Sequence, residues 1–238
     1  IFFYVGAEVA IGSNLGELLR QPDFGGLSAS EATPYIGMYW GSLMIGRWTG
    51  AVSVFDVSKA TKRLLVILVP FLAFGIICLA NWIKGNPIDD FKWYWVMIIF
   101  LVGANLYSQE KPVKLLLTVS VLAAAFILVS LFTKGMVTNY CIMACGLCCS
   151  VMWPCIFALA VAGLGKYTSQ ASAFLIMMIL GGAIIPPAQG ALIDLDLGTE
   201  VNGLTTGPWT HWSYIVPLSC FAYLAWHTLR SRSELKKQ

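Results

Sequence analysis

The residue with the most evident chemical capacity in this chain is Glu8, which lies inside an apolar run. It occurs in the segment YVGAEVAIGSN, residues 4–14, without a basic residue within one helical turn. An ionisable group in the hydrocarbon region of a membrane is costly, so its presence marks a functional candidate. A carboxyl group removed from water takes up a proton more readily, which suits a proton-coupled step. It could equally accept a hydrogen bond from a substrate hydroxyl, or make a structural hydrogen bond to a neighbouring helix.

Two amides, Asn14 and Gln189, are the weaker candidates for substrate binding or proton coupling. Asn14 follows Glu8 on a different helical face, and Gln189 follows the segment GGAIIPPA, residues 181–188. The adjacent prolines in that segment leave backbone carbonyl groups without donors and bend a helix. Membranes tolerate such breaks where partners or a water-filled cavity supply hydrogen bonds, and they are typical of moving helices in transporters. We therefore assign gating or structural roles to these glycines and prolines and to one further proline: Gly181, Gly182, Pro186, Pro187 and Pro154.

A cation, Arg47, lies in the segment GSLMIGRWTG, residues 41–50, near one end of the second apolar run. The flanking Gly46 and Gly50 would allow close helix contact and leave room for a partner of the guanidinium group. We expect Arg47 to lock a gate at the inner end of the bundle rather than to contact substrate. The alternative is that its side chain simply extends to the membrane interface.

Eight apolar runs, most of them long enough to cross a bilayer, position these residues. A hydrocarbon core about 30 Å thick requires about 20 apolar residues per helical crossing. Of the 238 residues, 58% are hydrophobic and 11% are charged, and the mean hydropathy is +0.76. The composition predicts an all-α, polytopic membrane helix bundle. The runs are Ile1–Leu19, Tyr35–Phe55, Leu64–Ile83, Trp93–Tyr107, Leu115–Phe132, Tyr140–Leu164, Ala173–Leu195 and Trp212–Leu229.

The charges between the runs predict the orientation, because Lys and Arg concentrate on cytoplasmic loops. With the first residue inside and eight crossings, most basic residues fall inside and most acidic residues fall outside. Both ends of the chain are therefore expected in the cytoplasm, in the inner (plasma) membrane. The inner group comprises Lys59, Lys62, Arg63, Lys111, Lys114, Lys166, Arg230, Arg232, Lys236 and Lys237. Aromatic residues at the outer ends are expected to form an interface belt: Trp82, Trp93, Tyr94, Trp95, Trp209 and Trp212.

Several function classes are disfavoured by the residues. The net charge of +3 lies on inner loops and the tail, so it does not indicate a nucleic acid partner. Cys145, Cys148, Cys149 and Cys155 share one apolar run without a nearby His or acid, which predicts packing rather than a metal site. The sequence lacks a phosphate loop, a nucleotide fingerprint and a plausible nucleophile–base pair. We expect neither an enzyme nor a cofactor.

Four segments, in this order, resemble the C-terminal half of a sugar permease of the fucose/glucose/galactose type, in the major facilitator superfamily. They are YVGAEV (4–9), GRWTG (46–50), MWPCIFALA with GLG (152–160 and 163–165) and GGAIIPP (181–187). The resemblance implies a proton-driven sugar symporter of two six-helix bundles that works by alternating access, with the proton gradient as its driving force. It also implies that an N-terminal half is missing before Ile1. Glu8 matches an acidic position of the glucose/galactose-type members, which favours a hexose over fucose.

The resemblance accounts for six of the eight runs. It implies that residues 1–63 hold the first two helices of the half, residues 64–114 an inserted membrane hairpin with its return loop, and residues 115–238 the last four helices and a cytoplasmic tail. We expect the hairpin to pack on the outside of the bundle, facing lipid. Two alternatives stay open: export of another small solute on the same fold, and a membrane sensor or structural subunit that transports nothing.

Overall fold

The computed structural model is a bundle of helices and describes residues 1–52, 55–86, 88–109, 111–196, 200–201, 204–205 and 207–235. Lys236 and Lys237, assigned to the inner charge group, lie outside the described residues. The helices are α1 (Phe2–Arg20), α2 (Ala29–Ala51), α3 (Lys59–Ile83), α4 (Trp95–Ser108), α5 (Pro112–Phe132), α6 (Gly135–Val161), α7 (Thr168–Met177), α8 (Gly181–Ile193), α9 (Trp209–Trp212) and α10 (Ile215–Leu235). An antiparallel pair of two-residue strands, β1 (Glu200–Val201) and β2 (Leu204–Thr205), precedes α9.

Each of the eight predicted runs contains a helix. Among the described residues, four helical segments are long and apolar enough to cross a membrane. These are α3, α5, α6 and the continuous helical stretch Gly165–Asp196, which includes α7 and α8. The helix α4 has 14 residues, about 21 Å at 1.5 Å per residue. The helices α1 and α2 carry acidic, basic and amide side chains among their apolar residues. The chain is thus a polytopic membrane helix bundle.

The centre of the bundle is α6, which packs against α5 and α2. In its most apolar stretch 67% of the residues are buried. The four cysteines singled out in the sequence, Cys145, Cys148, Cys149 and Cys155, are buried on this helix as free thiols. The described residues contain no group of three or more His, Cys, Asp or Glu side chains that could hold a metal ion.

The hairpin of α3 and α4 contacts α2, α5 and α6 on the outside of the bundle. Only 17% of the apolar stretch of α3 is buried. One aromatic residue contradicts the expected interface belt, because Tyr94 is fully buried and its hydroxyl lies 2.7 Å from that of Ser42 on α2. A phenol inside a membrane protein needs a polar partner, and Ser42 supplies one. The hairpin is therefore fastened to the bundle by a polar contact as well as by apolar packing.

The internal prolines interrupt their helices less than the sequence indicates. The helix α6 continues through Pro154, and α8 continues through Pro186 and Pro187. The irregular turn lies earlier, where the 3-10 segment Met178–Leu180 joins α7 to α8. The missing proline N–H groups thus remove hydrogen bonds without ending either helix.

Candidate functional site

The structure brings Glu8 of α1 and Arg47 of α2 together as an ion pair. An Arg47 terminal nitrogen, Nη2, lies 3.6 Å from Oε1 of Glu8. The Glu8 side chain is 11% exposed, whereas that of Arg47 is 55% exposed. Glu8 lies about 9 Å from the first residue of α1, and Arg47 about 6 Å from the last residue of α2, at 1.5 Å per residue. The cation that is absent from the sequence around Glu8 is supplied by the next helix.

The other residues around Glu8 are buried. The Tyr39 hydroxyl of α2 donates a hydrogen bond of 2.7 Å to the backbone oxygen of Glu8. Tyr4, one turn before Glu8, and Cys149 of α6 are buried beside it. The second carboxylate oxygen, Oε2, is buried and makes no hydrogen bond within the described parts of the chain. The carboxylate thus has the Arg47 cation and the neighbouring Tyr4 hydroxyl as partners, and it can still take up a proton or accept a further hydrogen bond.

Glycine lets α2 approach its neighbours closely enough to form this pair. A Cβ atom added at Gly46 would lie 1.7 Å from the hydroxyl of Ser150 on α6. A Cβ atom at Gly12 of α1 would lie 2.6 Å from the indole ring of Trp40 and 2.9 Å from the ring of Tyr39. Small residues at such contacts let helix backbones approach in membranes. Gly50 differs, because a Cβ atom there would meet nothing within 4 Å.

The two amide candidates meet each other rather than Glu8. Asn14 donates a hydrogen bond of 3.1 Å to Oε1 of Gln189, and Gln189 donates one of 3.1 Å to the Ser213 hydroxyl. Gln189 and Ser213 are fully buried, and Asn14 also donates to the backbone oxygen of Ala10. These bonds join α1, α8 and the segment before α10. Gln189 is therefore placed to hold helices together, whereas Asn14 is partly exposed.

The contact between α1 and α8 is also made by small residues. A Cβ atom at Gly181 would lie 1.9 Å from the backbone oxygen of Phe2, and one at Gly6 would lie 2.4 Å from Ile185. Gly182 is less tightly packed, because its added Cβ atom would lie 3.3 Å from Val5 and Val9. The GGAIIPP segment thus places α8 against the helix that carries Glu8.

Reasoning from the sequence missed Tyr39 and Ser213 as members of these polar contacts. Each lies in or beside an apolar run, where a hydroxyl group needs a hydrogen-bond partner. The sequence therefore indicates that these hydroxyl groups are hydrogen-bonded, but which residue is the partner depends on how the helices pack. Pro154, which was assigned to gating, lies on the exposed face of α6 away from Glu8 and lines a separate cavity.

The chain is similar to several bacterial sugar transporters. It is 32% identical over 231 residues to the glucose/galactose transporter of Brucella abortus (strain 9-941), covering 96% of this chain and 40% of that protein. It is 29% identical over 230 residues to a putative glucose/galactose transporter of Helicobacter pylori (strain 26695), covering 97% of this chain and 41% of that protein.

A second group of relatives is named for a different sugar. The chain is 34% identical over 168 residues to the L-fucose-proton symporter of Haemophilus influenzae, covering 68% of this chain and 33% of that protein. No family model and no solved structure matches the chain. The chain spans about two-fifths of the length of the glucose/galactose transporters that it matches. The names are those of transporters rather than enzymes, and by this homology the chain is related to the sugar permeases of the fucose/glucose/galactose type.

Proposed function

We propose that the chain forms the C-terminal half of a proton-coupled hexose transporter that works by alternating access. The observation that carries the proposal is the Glu8–Arg47 ion pair, because it places a titratable carboxylate between two helices of a sugar-permease relative. The proton gradient is the driving force, and the transport cycle requires no cofactor. The other sugar-binding and proton-coupling groups belong to an N-terminal half that this chain does not include.

Protonation of Glu8 would change the contact between α1 and α2. The charged carboxylate attracts the Arg47 guanidinium group, whereas a neutral carboxyl group loses most of that attraction. The Tyr39 hydrogen bond to the Glu8 backbone does not depend on the charge of the side chain. A proton would thus release Arg47 while leaving the backbones of α1 and α2 joined. A released Arg47 frees the inner end of α2 to move, which is the gate role we propose for it.

A hexose is the substrate class that the site favours. The buried Oε2 of Glu8 can accept a hydrogen bond from a sugar hydroxyl while Arg47 stays paired with Oε1. The relatives that match nearly the whole chain are named for glucose and galactose, whereas the fucose-proton symporter matches 68% of it. We therefore propose glucose or galactose ahead of fucose.

The decisive experiment is uptake of labelled glucose, galactose and fucose by the full-length transporter in proteoliposomes under an imposed proton gradient. Glu8→Gln keeps the size of the side chain but removes its titration. We expect it to abolish gradient-driven accumulation while leaving exchange of sugar across the membrane measurable. Glu17→Gln is the matched control, because Glu17 lies on the same helix, is 44% exposed and pairs with Arg20. Undiminished accumulation by the Glu8 variant would contradict the proposal.

The topology is part of the same proposal. We place both ends of the chain in the cytoplasm and the bundle in the plasma membrane, as the charges on the loops favour. Single cysteines at Lys62 and Lys92 of a cysteine-free protein test this assignment with a membrane-impermeant thiol reagent. We expect labelling at position 92 from outside intact cells and labelling at position 62 only after the membrane is opened.

A further inference from the structure

A polar cavity lies at the end of the bundle where α1 ends and α6 begins, and its volume is about 450 Å³. Its walls come from the segment after α1, from the start of α6 and from the residues around α9. Ligand cavities in proteins have volumes of about 300–1,000 Å³ and combine aromatic walls with a few polar groups. This cavity has that composition and lies apart from the Glu8 and Gln189 contacts. Its lining residues include Gln21, Asp23, Lys134, His211 and Trp212.

The charges in the cavity balance one another. Nζ of Lys134 lies 2.7 Å from Oδ2 of Asp23, and both side chains are more than half exposed. Burial lowers the pKa of His211 below its ordinary value of 6.5, so its ring is neutral at pH 7. The other described lining residues carry no formal charge. A neutral ligand suits such a site, because an anion or a cation would meet a charge of its own sign in the pair.

His211 contributes a hydrogen-bond acceptor to this cavity. Its Nε2 lies 2.7 Å from the backbone oxygen of Ser130, near the end of α5. A carbonyl oxygen can only accept, so Nε2 carries the hydrogen and the neutral ring keeps Nδ1 as an acceptor. Nδ1 makes no hydrogen bond within the described part of the chain. The ring of Phe24 packs against the imidazole, with the two centroids 4.6 Å apart, and helps to hold its orientation.

The remaining polar groups and an aromatic ring suit a sugar. The contact between Lys134 and Asp23 leaves further N–H groups of the ammonium and one oxygen of the carboxylate without hydrogen bonds among the described residues. A sugar hydroxyl both donates and accepts, so it can use donors and acceptors that lie side by side. Trp212 is 42% exposed and adds an aromatic surface to the same cavity. The C–H groups on one face of a pyranose ring pack against the negative face of an aromatic ring.

Hydrogen bonds between the walls hold the shape of the cavity. The buried side chain of Gln21 donates a hydrogen bond of 2.7 Å to the backbone oxygen of Gly207, which joins the segment after α1 to the segment before α9. The buried side chain of Asn139 on α6 donates one of 2.8 Å to the backbone oxygen of Phe24. A ligand would therefore enter a largely preformed site, and binding would not have to order these segments.

We propose that this cavity captures a neutral hexose at the outer end of the bundle, before the sugar reaches Glu8. Sugar hydroxyls bind at the Asp23–Lys134 pair and donate to Nδ1 of His211, and one face of the sugar ring packs against Trp212. The choice of a hexose and the outward direction of this end rest on the function proposed above. The capture site supplies sugar to the external entrance and takes no part in proton coupling.

The test is protection of a cysteine placed in the wall of the cavity. Pro208 is exposed and lines the cavity, so Pro208→Cys in a cysteine-free full-length transporter should react with a membrane-impermeant thiol reagent outside intact cells. We expect glucose or galactose to slow this reaction in cells without a proton gradient. Mannitol has the hydroxyl groups without the ring and should not slow it. Lys92→Cys is the matched control, because Lys92 is exposed and does not line the cavity.

Two variants remove sugar contacts and leave the hydrogen bonds between the walls in place. Asp23→Ala and Trp212→Leu should each raise the glucose concentration that gives half-maximal protection roughly fivefold, which corresponds to about 1 kcal/mol. Glu17→Ala is the matched control, because Glu17 is 44% exposed, pairs with Arg20 and does not line the cavity. It should leave the protection unchanged. Equal protection in the wild-type background and in both cavity variants would overturn the proposal, as would no protection by any hexose.

Glu8→Gln combined with Pro208→Cys separates this proposal from the transport function. Glu8 does not line the cavity, so glucose should still protect the cysteine while gradient-driven accumulation is lost. Loss of protection in this double variant would overturn an outer site that is independent of Glu8. Protection without any sugar accumulation in the background that retains Glu8 would contradict the proposed transport function and support the outer site. Thermal unfolding in detergent establishes that each variant is folded.

Discussion

The two-helix hairpin and the helices around Glu8 pack in opposite ways. The helices α1, α2, α6 and α8 approach one another through glycines whose added Cβ atoms would collide with a neighbour. The glycines of the hairpin, Gly75 in α3 and Gly103 in α4, would gain a Cβ atom without meeting anything within 4 Å. Close backbone contacts and hydrogen bonds hold the helices around Glu8 together, whereas large apolar side chains cover the hairpin.

This difference shows which region can change and which cannot. The exposed face of α3 carries large apolar residues, among them Leu64, Leu68, Leu72, Ile76 and Leu79, and no described helix covers it. Such a face interacts equally well with lipid tails whatever its detailed shape. A close helix contact at a glycine tolerates no added atom. The exposed face of the hairpin could therefore diverge freely in sequence, whereas its buried residues and its polar contact with Ser42 could not.

The largest effect should follow from adding one methyl group in the glycine-lined region. Gly181→Ala places a Cβ atom 1.9 Å from the backbone oxygen of Phe2, which cannot rotate away. We expect α8 to separate from α1, at a cost of about 1–3 kcal/mol in unfolding free energy. Thermal unfolding in detergent measures it. Gly75→Ala in α3 is the control, and it should be neutral or slightly stabilising because alanine favours a helix. Equal effects of the two changes would remove the distinction between the regions.

A smaller loss of stability should follow from removing the Asn14 amide, which joins two helices. Asn14→Ala leaves Oε1 of the buried Gln189 without its donor, and we expect a loss of about 1 kcal/mol. Asn81→Ala is the comparison in the hairpin, since within the described residues the Asn81 side chain forms hydrogen bonds only locally, with Ile77 and Asn86. It should cost about half as much. Unfolding by increasing concentrations of sodium dodecyl sulfate in mixed micelles measures both, and a larger loss for Asn81→Ala would reverse the comparison.

The smallest change in stability should come from the capping residues at the helix starts, and it should depend on pH. The Ser28 hydroxyl and backbone N–H donate to the Glu31 carboxylate at the start of α2, and these hydrogen bonds lower the pKa of Glu31 below its ordinary value of 4.5. A lowered folded-state pKa stabilises the protein above the unfolded pKa, and that stabilisation is lost as the pH falls through the folded value. The α2 cap should therefore weaken below about pH 4.5.

The start of α3 provides the comparison for this pH effect. Ser58 caps α3 by accepting a hydrogen bond from the backbone N–H of Thr61, and the first turn contains no acid. In thermal unfolding, Glu31→Gln should destabilise the protein at pH 7 and lose that effect below pH 4.5, whereas Ser58→Ala should have the same effect at both values. A pH-independent effect of Glu31→Gln would show that the capping carboxylate does not titrate as expected.

Much of the architecture could be predicted from composition and spacing. The apolar runs predict helices in a membrane, and the motifs around Glu8 and Gly181 indicate the relationship to sugar permeases. The proline positions were less informative: Pro154 and Pro186 lie inside continuous helices because one missing N–H group does not outweigh the surrounding packing. Tyr94 was assigned to the interface by its neighbours, but a partner on another helix buries it.

The sequence by itself determined that this chain crosses a membrane, that it contains a carboxylate and an arginine in costly positions, and that its small residues fall at particular places along the helices. Each of these follows from local composition and helical periodicity. Only the tertiary structure decided that Arg47 pairs with Glu8 and that Asn14 pairs with Gln189. The physical reason is that partners on different helices meet through the depth and rotation of each helix, which close packing sets and local sequence does not.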